Sequence, residues 1–404
     1  MKTEKLYQNN VYLKESKQKL LALESADGML KAAFDATIFF PTGGGQLCDT
    51  GYIDDHKVLK VEETKDGIIW HYLEDSGSEL ICEQDYLMKL DWDKRFSHMQ
   101  MHCGEHLLSG AFLKLFGAQN KGFHMGSDYI TIDIDWGGKE LTADMVQQAE
   151  RLANEWIYSD MPVEIKWFKN AKEAKSLPCR KDIKNVENIS VVLISDEKEI
   201  ADCCACCGTH PSSTGQIGLV KITHQEKYKS MNRFYVKCGF KALEDYEDKQ
   251  NVLTRLANKH SCDYSELEKI LAAAKAREEE VYKKFINLKS HYINIEIDKL
   301  KLELEQPKEK SIRVFTFNQF DINDLQNMAR KLKGEIKDVT VFVSEKENSC
   351  ILASDGSIDC GKLVKENAQV YSGKGGGKPD LARAIFSNRE NIELYLDLIE
   401  KHLR

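Results

Sequence analysis

The sequence predicts an α+β protein built from several domains. Short runs of alternating apolar and polar residues, separated by turns rich in Gly and Asp, occupy residues 1–91 and predict strands. Residues 92–242 combine helical and strand patterns, and residues 246–305 are rich in Glu, Lys, Leu and Ala without any Pro or Gly. The composition of residues 246–305 predicts long helices. Because the chain has 404 residues, two or three domains are expected from its length alone.

Composition limits the class of protein. An apolar fraction of 42% is enough for packed cores, and a charged fraction of 30% with six prolines is typical of a helix-rich protein. The net charge of −8 argues against a general nucleic-acid coat, which would be basic over most of its surface. A local basic patch for RNA remains compatible with this charge.

The chain has twelve cysteines. Its first residues are charged and polar, without the apolar segment of a signal peptide, and no window approaches the roughly 18 apolar residues of a membrane span. We therefore expect a cytoplasmic protein without a membrane segment, whose thiols are reduced and partly used as metal ligands.

The first two segments are predicted to be a small β-barrel over residues 1–91, for which a sandwich is the alternative, and an α+β domain over residues 92–242. In the barrel, alternation is clearest at 30–40 and 67–73. In the second domain the patterns predict helices at 95–116 and 141–160, strands at 128–136, 163–168, 190–194, 217–223 and 233–238, and a Cys-rich turn after residue 194.

The last two segments are a helical connector over residues 243–310 and a small α/β domain over residues 311–404. The connector is coiled-coil-like, with a break near 260–263 and an end at Pro307. Its apolar spacing is irregular, so residues 246–305 either fold back as a hairpin or pair two chains in a homodimer. The final domain is predicted to have strands at 314–317, 339–343 and 349–353 and helices at 324–333, 361–366, 381–386 and 391–402.

The strongest chemical signal is HCGEH, which places His102 and His106 four residues apart in a predicted helix. Such residues lie one turn apart on the same face, so two ring nitrogens can bind one ion. An isolated pair of this kind is more often an ordinary surface or core pair, and the signal therefore needs further ligands.

Further ligands come from CCACCGTH, in which Cys206 and His210 are four residues apart in a turn that contains Gly. Cys and His are the preferred ligands of zinc, and the four residues form a His₃Cys set for one Zn²⁺ per chain. Four protein ligands fit a closed structural site, whereas a catalytic site keeps a position for water. The alternative cysteine ligands are Cys203, Cys204 and Cys207.

Two glycine-rich segments are weaker signals. The first, PTGGGQ, contains Gly43, Gly44, Gly45 and Gln46, and it allows either a simple turn or close approach of a ligand to the backbone; Thr37 offers a hydroxyl nearby. The second, SGKGGGKPDLARA at 372–384, is predicted to open a helix, and Lys374 and Lys378 beside that helix N-terminus suit a phosphate or an RNA backbone. The second segment does not match the P-loop pattern.

Taken in order, these blocks resemble the editing domain of alanyl-tRNA synthetase and, more closely, the free-standing alanyl-tRNA editing proteins of the AlaX type. The resemblance is carried by DATIFFPTGGGQLCDTG at 35–51, HCGEHLLSGAF at 102–112, GFHMGSDYITIDID at 122–135 and DCCACCGTHPSSTGQIG at 202–218. The segment GKGGGKPDLA is similar to the signature of the DHH-associated domain. The family's usual CGGTH is here CCGTH, with Cys207 in place of the first glycine, and its usual valine after the histidine is Pro211.

The resemblance implies a zinc-dependent hydrolase that edits in trans. Residues 92–242 would be the editing domain, and the expected reaction is hydrolysis of the ester in alanine tRNA that is mischarged with serine or glycine. Thr37 would recognise the serine hydroxyl through a hydrogen bond. Such recognition is needed because an apolar pocket rejects an added hydroxyl only weakly. The glycine-rich loop with Gln46 would line the site, and Lys374, Lys378 and Arg383 would hold the tRNA body.

Three alternatives remain. The first is a tRNA-binding module with a structural zinc, and the second is an editing protein for another aminoacyl-tRNA. The third is a phosphodiesterase of the DHH class, but the chain has no DHH triplet.

Overall fold

The computed structural model describes residues 2–26, 29–75, 77–138, 140–174, 176–183, 187–307 and 311–403. The chain divides into two compact units, Met1–Lys259 and His260–Arg404. The predicted domain boundary after residue 310 borders residues 308–310, which lie outside the described part.

A closed six-stranded barrel forms the beginning of the first unit, as the alternation predicts. Before the barrel lie β1 (Glu4–Lys5) and a short helix α1 (Leu6–Asn9). The strands that follow are β2 (Glu15–Ala26), β3 (Met29–Phe34), β4 (Ala36–Thr37), β5 (Gly51–Ile53), β6 (His56–Glu63), β7 (Ile69–Leu73) and β8 (Asp85–Leu90). The barrel order is β2-β3-β7-β6-β5-β8, and alternate side chains such as Leu20, Phe34, Ile53 and Met88 fill its interior.

The strand predicted at 30–40 is interrupted. β3 ends at Phe34, and β4 pairs in parallel with β1 instead of continuing the barrel. Asp35 causes the break, because its Oδ1 accepts hydrogen bonds from the Lys19 and Ala36 amides, each at 2.9 Å. The chain then leads through Thr37 to the glycine-rich loop.

The rest of the first unit is organised around one buried helix, α2 (Trp92–Phe116). Asp91 caps its N-terminus by accepting a hydrogen bond from the Lys94 amide, and Gly117 ends it with a φ of 69°. The elements that follow are β9 (Gln119–Met125), β10 (Ile130–Asp135), α3 (Ala143–Tyr158), β11 (Val163–Asn170), α4 (Ala171–Ala174), β12 (Glu187–Ser195), β13 (Ile200–Ala205), β14 (Val220–Tyr228), β15 (Met231–Cys238) and α5 (Phe240–His260).

Two antiparallel sheets pack with α2, one in the order β14-β15-β10-β9 and one in the order β11-β12-β13. The predicted strands are confirmed with shifted ends. The predicted Cys-rich turn is wrong for its first residues. Cys203 and Cys204 lie within β13, and only the residues that follow form a loop. The strand β12, which is buried from Ile189 to Ile194, provides the pairing partner that makes this segment a strand.

The second unit begins where the helical pattern breaks, as predicted. A 3₁₀ turn, Tyr264–Glu266, is capped by Asp263, whose Oδ1 accepts from the Ser265 amide at 3.0 Å. It leads into the 39-residue helix α6 (Leu267–Glu305). A five-stranded sheet in the order β16-β17-β18-β20-β19 follows, with helices around it. Its elements are β16 (Arg313–Phe317), α7 (Ile322–Lys331), β17 (Thr340–Ser344), β18 (Ser349–Ala353), α8 (Cys360–Asn367), β19 (Lys374–Lys378), β20 (Leu381–Ile385) and α9 (Arg389–His402).

The predicted helix at 381–386, with a glycine-rich N-terminus, is wrong. Residues 374–378 and 381–385 are the two strands of an antiparallel hairpin. A Cβ atom on Gly375 would lie 2.1 Å from the Arg383 carbonyl oxygen, and one on Gly377 would lie 2.3 Å from the Leu381 carbonyl oxygen. The glycines therefore allow close packing of two strands rather than a turn before a helix.

None of the described helices is long and apolar enough to cross a membrane.

Candidate metal centre

Four predicted ligands converge in the first unit. The helix α2 places His102 and His106 on one face, and the loop after β13 brings Cys206 and His210 to them. One potential ligand atom from each residue lies within 4.8 Å of the other three. The Cys206 Sγ is 3.3 Å from both His102 Nε2 and His210 Nε2.

These distances fit a zinc ion. Zn–N bonds of about 2.0 Å and Zn–S bonds of about 2.3 Å at tetrahedral angles place neighbouring donors about 3.5 Å apart. The observed Sγ–Nε2 separations of 3.3 Å are close to that value. The donor set of three imidazoles and one thiolate is also one that zinc prefers.

Burial keeps the imidazoles of His102 and His210 neutral. His102, His106 and His210 are each no more than 2% exposed. Desolvation, reinforced by the neighbouring His106, lowers the pKa of His102 to about 3, and burial lowers the pKa of His210 well below its ordinary value. A neutral imidazole offers a lone pair to a metal, which a protonated one cannot do.

Gln46 fixes the tautomer of His102. The Thr209 amide donates to Gln46 Oε1 at 3.0 Å, and Gln46 Nε2 donates to Thr209 Oγ1 at 2.8 Å. Because a backbone N–H can only donate, the amide oxygen of Gln46 must be on this side. The same oxygen lies 2.8 Å from His102 Nδ1, so Nδ1 carries the proton and Nε2 is free to bind a metal.

Asp202 fixes His106 in the same way, and sequence reasoning missed it. Its Oδ2 accepts from His106 Nδ1 at 2.6 Å, which leaves Nε2 for the metal. Asp202 is four residues before Cys206, in the neighbouring strand β13. The only sequence signal was its position in the matched motif DCCACCGTH.

A buried ionic network continues outward from Asp202. Arg180 Nε lies 2.9 Å from Asp202 Oδ1, and Arg180 Nη2 lies 3.1 Å from Glu105 Oε1. Ser109 Oγ and Asn120 Nδ2 also donate to Glu105 Oε1. Burial alone would raise the pKa of Glu105, but the charge of Arg180 and the hydrogen bond from Ser109 outweigh it and lower this pKa to about 2.

The three alternative cysteines do not join the cluster in the described part of the chain. Cys203 is buried with its Sγ 3.0 Å from that of Cys179, and the Cys204 thiol points to the Ala205 carbonyl oxygen at 3.6 Å. Cys207 is exposed and lies against Gly44, where a Cβ atom would be 2.8 Å from its Sγ.

Gly208, the single glycine of CCGTH, is required by the geometry. A Cβ atom on Gly208 would lie 2.2 Å from His102 Cε1. Cys207, by contrast, replaces the family's first glycine at an exposed position, so its side chain is accommodated without displacing a ligand.

The glycine-rich loop packs against this cluster. Gly43 and Gln46 form an isolated β-bridge, and Gly44 and Gly45 between them have φ values of 59° and 85°, which favour glycine. A Cβ atom on Gly45 would lie 2.5 Å from the ring of Phe123. That ring stacks on His102 with centroids 5.1 Å apart. Because the loop glycines have no side chains, the loop can pack closely against the metal ligands.

Thr37 lies inside the barrel, and its side chain is fully buried. His71 Nδ1 faces the Ala32 carbonyl oxygen at 3.1 Å and must donate to it, so Nε2 accepts at 2.8 Å from the Thr37 hydroxyl. The Phe39 amide donates to the same Oγ1 at 3.1 Å. The hydroxyl proton of Thr37 is thus already used in the barrel.

Lys374, Lys378 and Arg383 belong to the second unit. Gly376 is the partner of Arg383 in the hairpin, and residues two apart along a strand share a face. Lys374, Lys378 and Arg383 therefore lie on the same face of the hairpin. Both lysines are exposed at the ends of the edge strand β19, and Arg383 is half-buried.

The fold and the donor set define a class: a domain that combines a closed barrel with a cluster of His and Cys side chains suited to a metal ion. A family model described as the threonyl and alanyl tRNA synthetase second additional domain matches residues 189–235, which include Cys206 and His210. A second family model, the DHHA1 domain, matches residues 310–404.

Comparison with whole proteins gives a more specific resemblance than the two family models. The chain is 28% identical over 427 residues to alanyl-tRNA editing protein AlaX-L of Pyrococcus horikoshii, covering 99% of each chain. It is 28% identical to the alanine–tRNA ligase of Thermotoga maritima and 26% identical to that of Pyrococcus abyssi. The chain spans only 45% and 44% of those two ligases. It thus resembles the free-standing alanyl-tRNA editing proteins and the corresponding part of the ligases.

Proposed function

We propose that the protein is a zinc-dependent hydrolase that removes a wrongly attached amino acid from alanine tRNA in trans. Its substrates are tRNA(Ala) carrying serine or glycine. The observation that carries the proposal is the convergence of four metal-ligand side chains beside the glycine-rich loop. The similarity to AlaX-L over nearly the full length of both chains supports action in trans, and aminoacyl-tRNA as substrate implies a cytoplasmic location.

Hydrolysis of an aminoacyl ester requires a positioned water and stabilisation of charge on the carbonyl oxygen. His102, His106, Cys206 and His210 would hold a zinc ion, which would supply a Lewis acid able to lower the pKa of water towards about 7 or to polarise a carbonyl. Gln46 orients His102, and the loop from Gly43 to Gln46 offers backbone amides to the terminal adenosine.

We propose Thr37 as the residue that distinguishes serine from alanine, on the basis of the sequence resemblance. With its proton donated to His71, Thr37 Oγ1 would act as an acceptor for the serine hydroxyl. Thr37→Ser keeps this oxygen, and Thr37→Val removes it at similar volume. We expect Thr37→Val, but not Thr37→Ser, to lose the preference for seryl over alanyl esters. The same selectivity in wild type and Thr37→Val would contradict this role.

We propose that the hairpin face with Lys374, Lys378 and Arg383 binds the tRNA body. Three cations on one face suit a phosphate backbone, and Gly376 between them adds no side chain that would hold a phosphate away.

We also propose a homodimer through residues 246–305. Within α6, Val281, Phe285 and Leu288 are spaced as one helical face and are 60%, 56% and 71% exposed. Light scattering should give twice the chain mass for the wild type. Phe285→Lys should give the monomer mass, whereas Val370→Lys, at an exposed apolar position outside residues 246–305, should not change the wild-type result.

A tRNA-binding protein with a structural zinc is the second candidate, and one observation favours it. Three imidazoles and a thiolate complete a tetrahedral set, which is typical of closed structural sites.

Deacylation assays separate the candidates. Metal-loaded protein is mixed with seryl-, glycyl- and alanyl-tRNA(Ala) and with seryl-tRNA(Thr), and His102→Ala serves as the control. Loss of serine or glycine from tRNA(Ala), sparing alanine and absent in His102→Ala, supports the editing hydrolase. Turnover of seryl-tRNA(Thr) alone would indicate another editing substrate. No turnover with one zinc still bound would leave the structural-zinc candidate.

A further inference from the structure

We infer that Arg180 is a positioning residue for the metal centre, acting on His106 through Asp202. The inference rests on the metal site of the proposed function but not on its substrate. Arg180 lies in the segment between α4 and β12, and its side chain is only 7% exposed. A buried arginine is costly unless its charge is matched, so its partners define its role.

The partners of Arg180 are two carboxylates, one on the helix that carries two of the metal ligands and one on the strand that precedes the other two. Glu105 belongs to α2, between His102 and His106, and Asp202 belongs to β13, just before Cys206. The guanidinium is 3.1 Å from Glu105 Oε1 and 2.9 Å from Asp202 Oδ1. One planar cation thereby connects the helix with the ligand-bearing strand.

The backbone holds the guanidinium in place. The Arg180 amide donates to the Cys203 carbonyl oxygen at 2.8 Å, which attaches this segment to β13 next to Asp202. On the other side, Ser109 and Asn120 donate to Glu105 Oε1 at 2.7 and 2.6 Å and fix its carboxylate. The position of Arg180 relative to both carboxylates is therefore determined by several independent bonds.

The two oxygens of Asp202 have separate tasks. Oδ1 faces Arg180, while Oδ2 accepts the hydrogen bond from His106 Nδ1 at 2.6 Å. The ion pair between Oδ1 and Arg180 opposes rotation of the carboxylate away from His106, whose ring presents Nε2 to the metal site. Removing Arg180 leaves Asp202 and Glu105 as buried like charges without their shared cation. The ligand geometry, not only the fold, should then change.

The test uses the full chain loaded with Zn²⁺ or Co²⁺. Zinc affinity is measured by chelator competition, and the visible absorption of the Co²⁺ form reports ligand geometry. Arg180→Gln should weaken zinc binding by about 10- to 100-fold and change the Co²⁺ spectrum. Arg180→Lys keeps the charge and should recover part of both effects. Arg151→Gln removes an arginine that is 82% exposed and paired with Glu155 in the same unit, and it should change neither.

A second variant covers loss of folding. If Arg180→Gln does not fold, Asp202→Asn, which preserves shape, should show the same spectral change, and adding Arg180→Lys to it should have no further effect. Wild-type zinc affinity and an unaltered Co²⁺ spectrum in folded Arg180→Gln would overturn the inference. So would an unaltered spectrum in Asp202→Asn. If the wild type binds metal but hydrolyses no ester, the proposed reaction fails while this inference is still tested by the metal readouts.

Discussion

The metal centre and the glycine–lysine hairpin were both identified from short motifs, but their structures compare differently with the prediction. His102 and His106 define their own geometry, because four residues on a helix always bring two side chains to one face. The glycines at 375–377 define no single geometry, since glycine permits both positive φ and close strand packing. The structure uses them for close packing. Motifs of metal-ligand side chains are therefore more informative than motifs of glycine.

The largest expected effect tests the metal centre. His102→Ala removes one of four donors, so bound zinc should fall from one equivalent to below roughly a tenth. Turnover should fall by at least roughly 10³-fold. Metal analysis of the purified protein measures the first effect. Cys207→Ala, at the exposed neighbour of Cys206, should keep full zinc, and loss of zinc from this variant would make Cys207 a ligand.

Acid should lower the stability of the barrel through its buried His71. Burial lowers the pKa of His71 in the barrel to about 4 from an ordinary value of 6.5. Between these values the unfolded chain binds a proton that the folded barrel does not, so stability falls as pH drops from 6.5 to 4. One such group accounts for about 3 kcal/mol over this window, and the effect is absent above it.

Hydrogen exchange measures this effect separately in β3 and β7 and in the hairpin of the second unit. Protection of the barrel strands against exchange should decrease as the pH is lowered from 6.5 to 4. The His71→Gln variant should show a weaker dependence on pH. An equal pH dependence in His71→Gln would assign the acid sensitivity to other groups.

The packing role of the glycines gives a smaller effect with a matched pair. Gly375→Ala places a Cβ atom 2.1 Å from a backbone oxygen, whereas a Cβ atom on Gly376 meets nothing within 4 Å. We expect Gly375→Ala to destabilise the second unit by about 2 kcal/mol and Gly376→Ala to leave it within about 0.5 kcal/mol. Denaturant unfolding of the two variants measures the difference. Equal stabilities would contradict the hairpin packing.

The smallest effect concerns RNA binding by the hairpin. Replacing Lys374 and Lys378 by Ala should weaken tRNA binding about three- to tenfold and reduce the salt dependence by about one contact for each lysine. Deacylation at saturating tRNA should be unchanged. Lys362→Ala and Lys365→Ala, on α8 of the same unit, serve as the control. Unchanged affinity and salt dependence in the hairpin variant would exclude this face as an RNA contact.

The sequence was sufficient for the barrel, the long helices and the two pairs of candidate ligands, because each depends on a local periodicity or on a spacing of four residues. It was not sufficient for the network of Glu105, Arg180 and Asp202. Arg180 lies 75 positions after Glu105 and Asp202 lies 97 positions after it, and no sequence pattern connects residues so far apart. Gln46 was expected to line the site, but its hydrogen bonds to His102 and Thr209 depend on the closure of the fold. The partners of Thr37 inside the barrel were equally inaccessible to sequence reasoning.

The bridge made by Gln46 has a consequence for biosynthesis. It connects Gln46 with Thr209, which are 163 positions apart, and Cys206 lies 104 positions after His102. On the ribosome, the barrel and the two-histidine helix emerge long before the strand that completes the ligand set. The nascent chain can therefore offer a metal only two imidazoles until residues 206–210 have been translated, and capture of a metal by all four side chains would be a step that follows synthesis of most of the first unit.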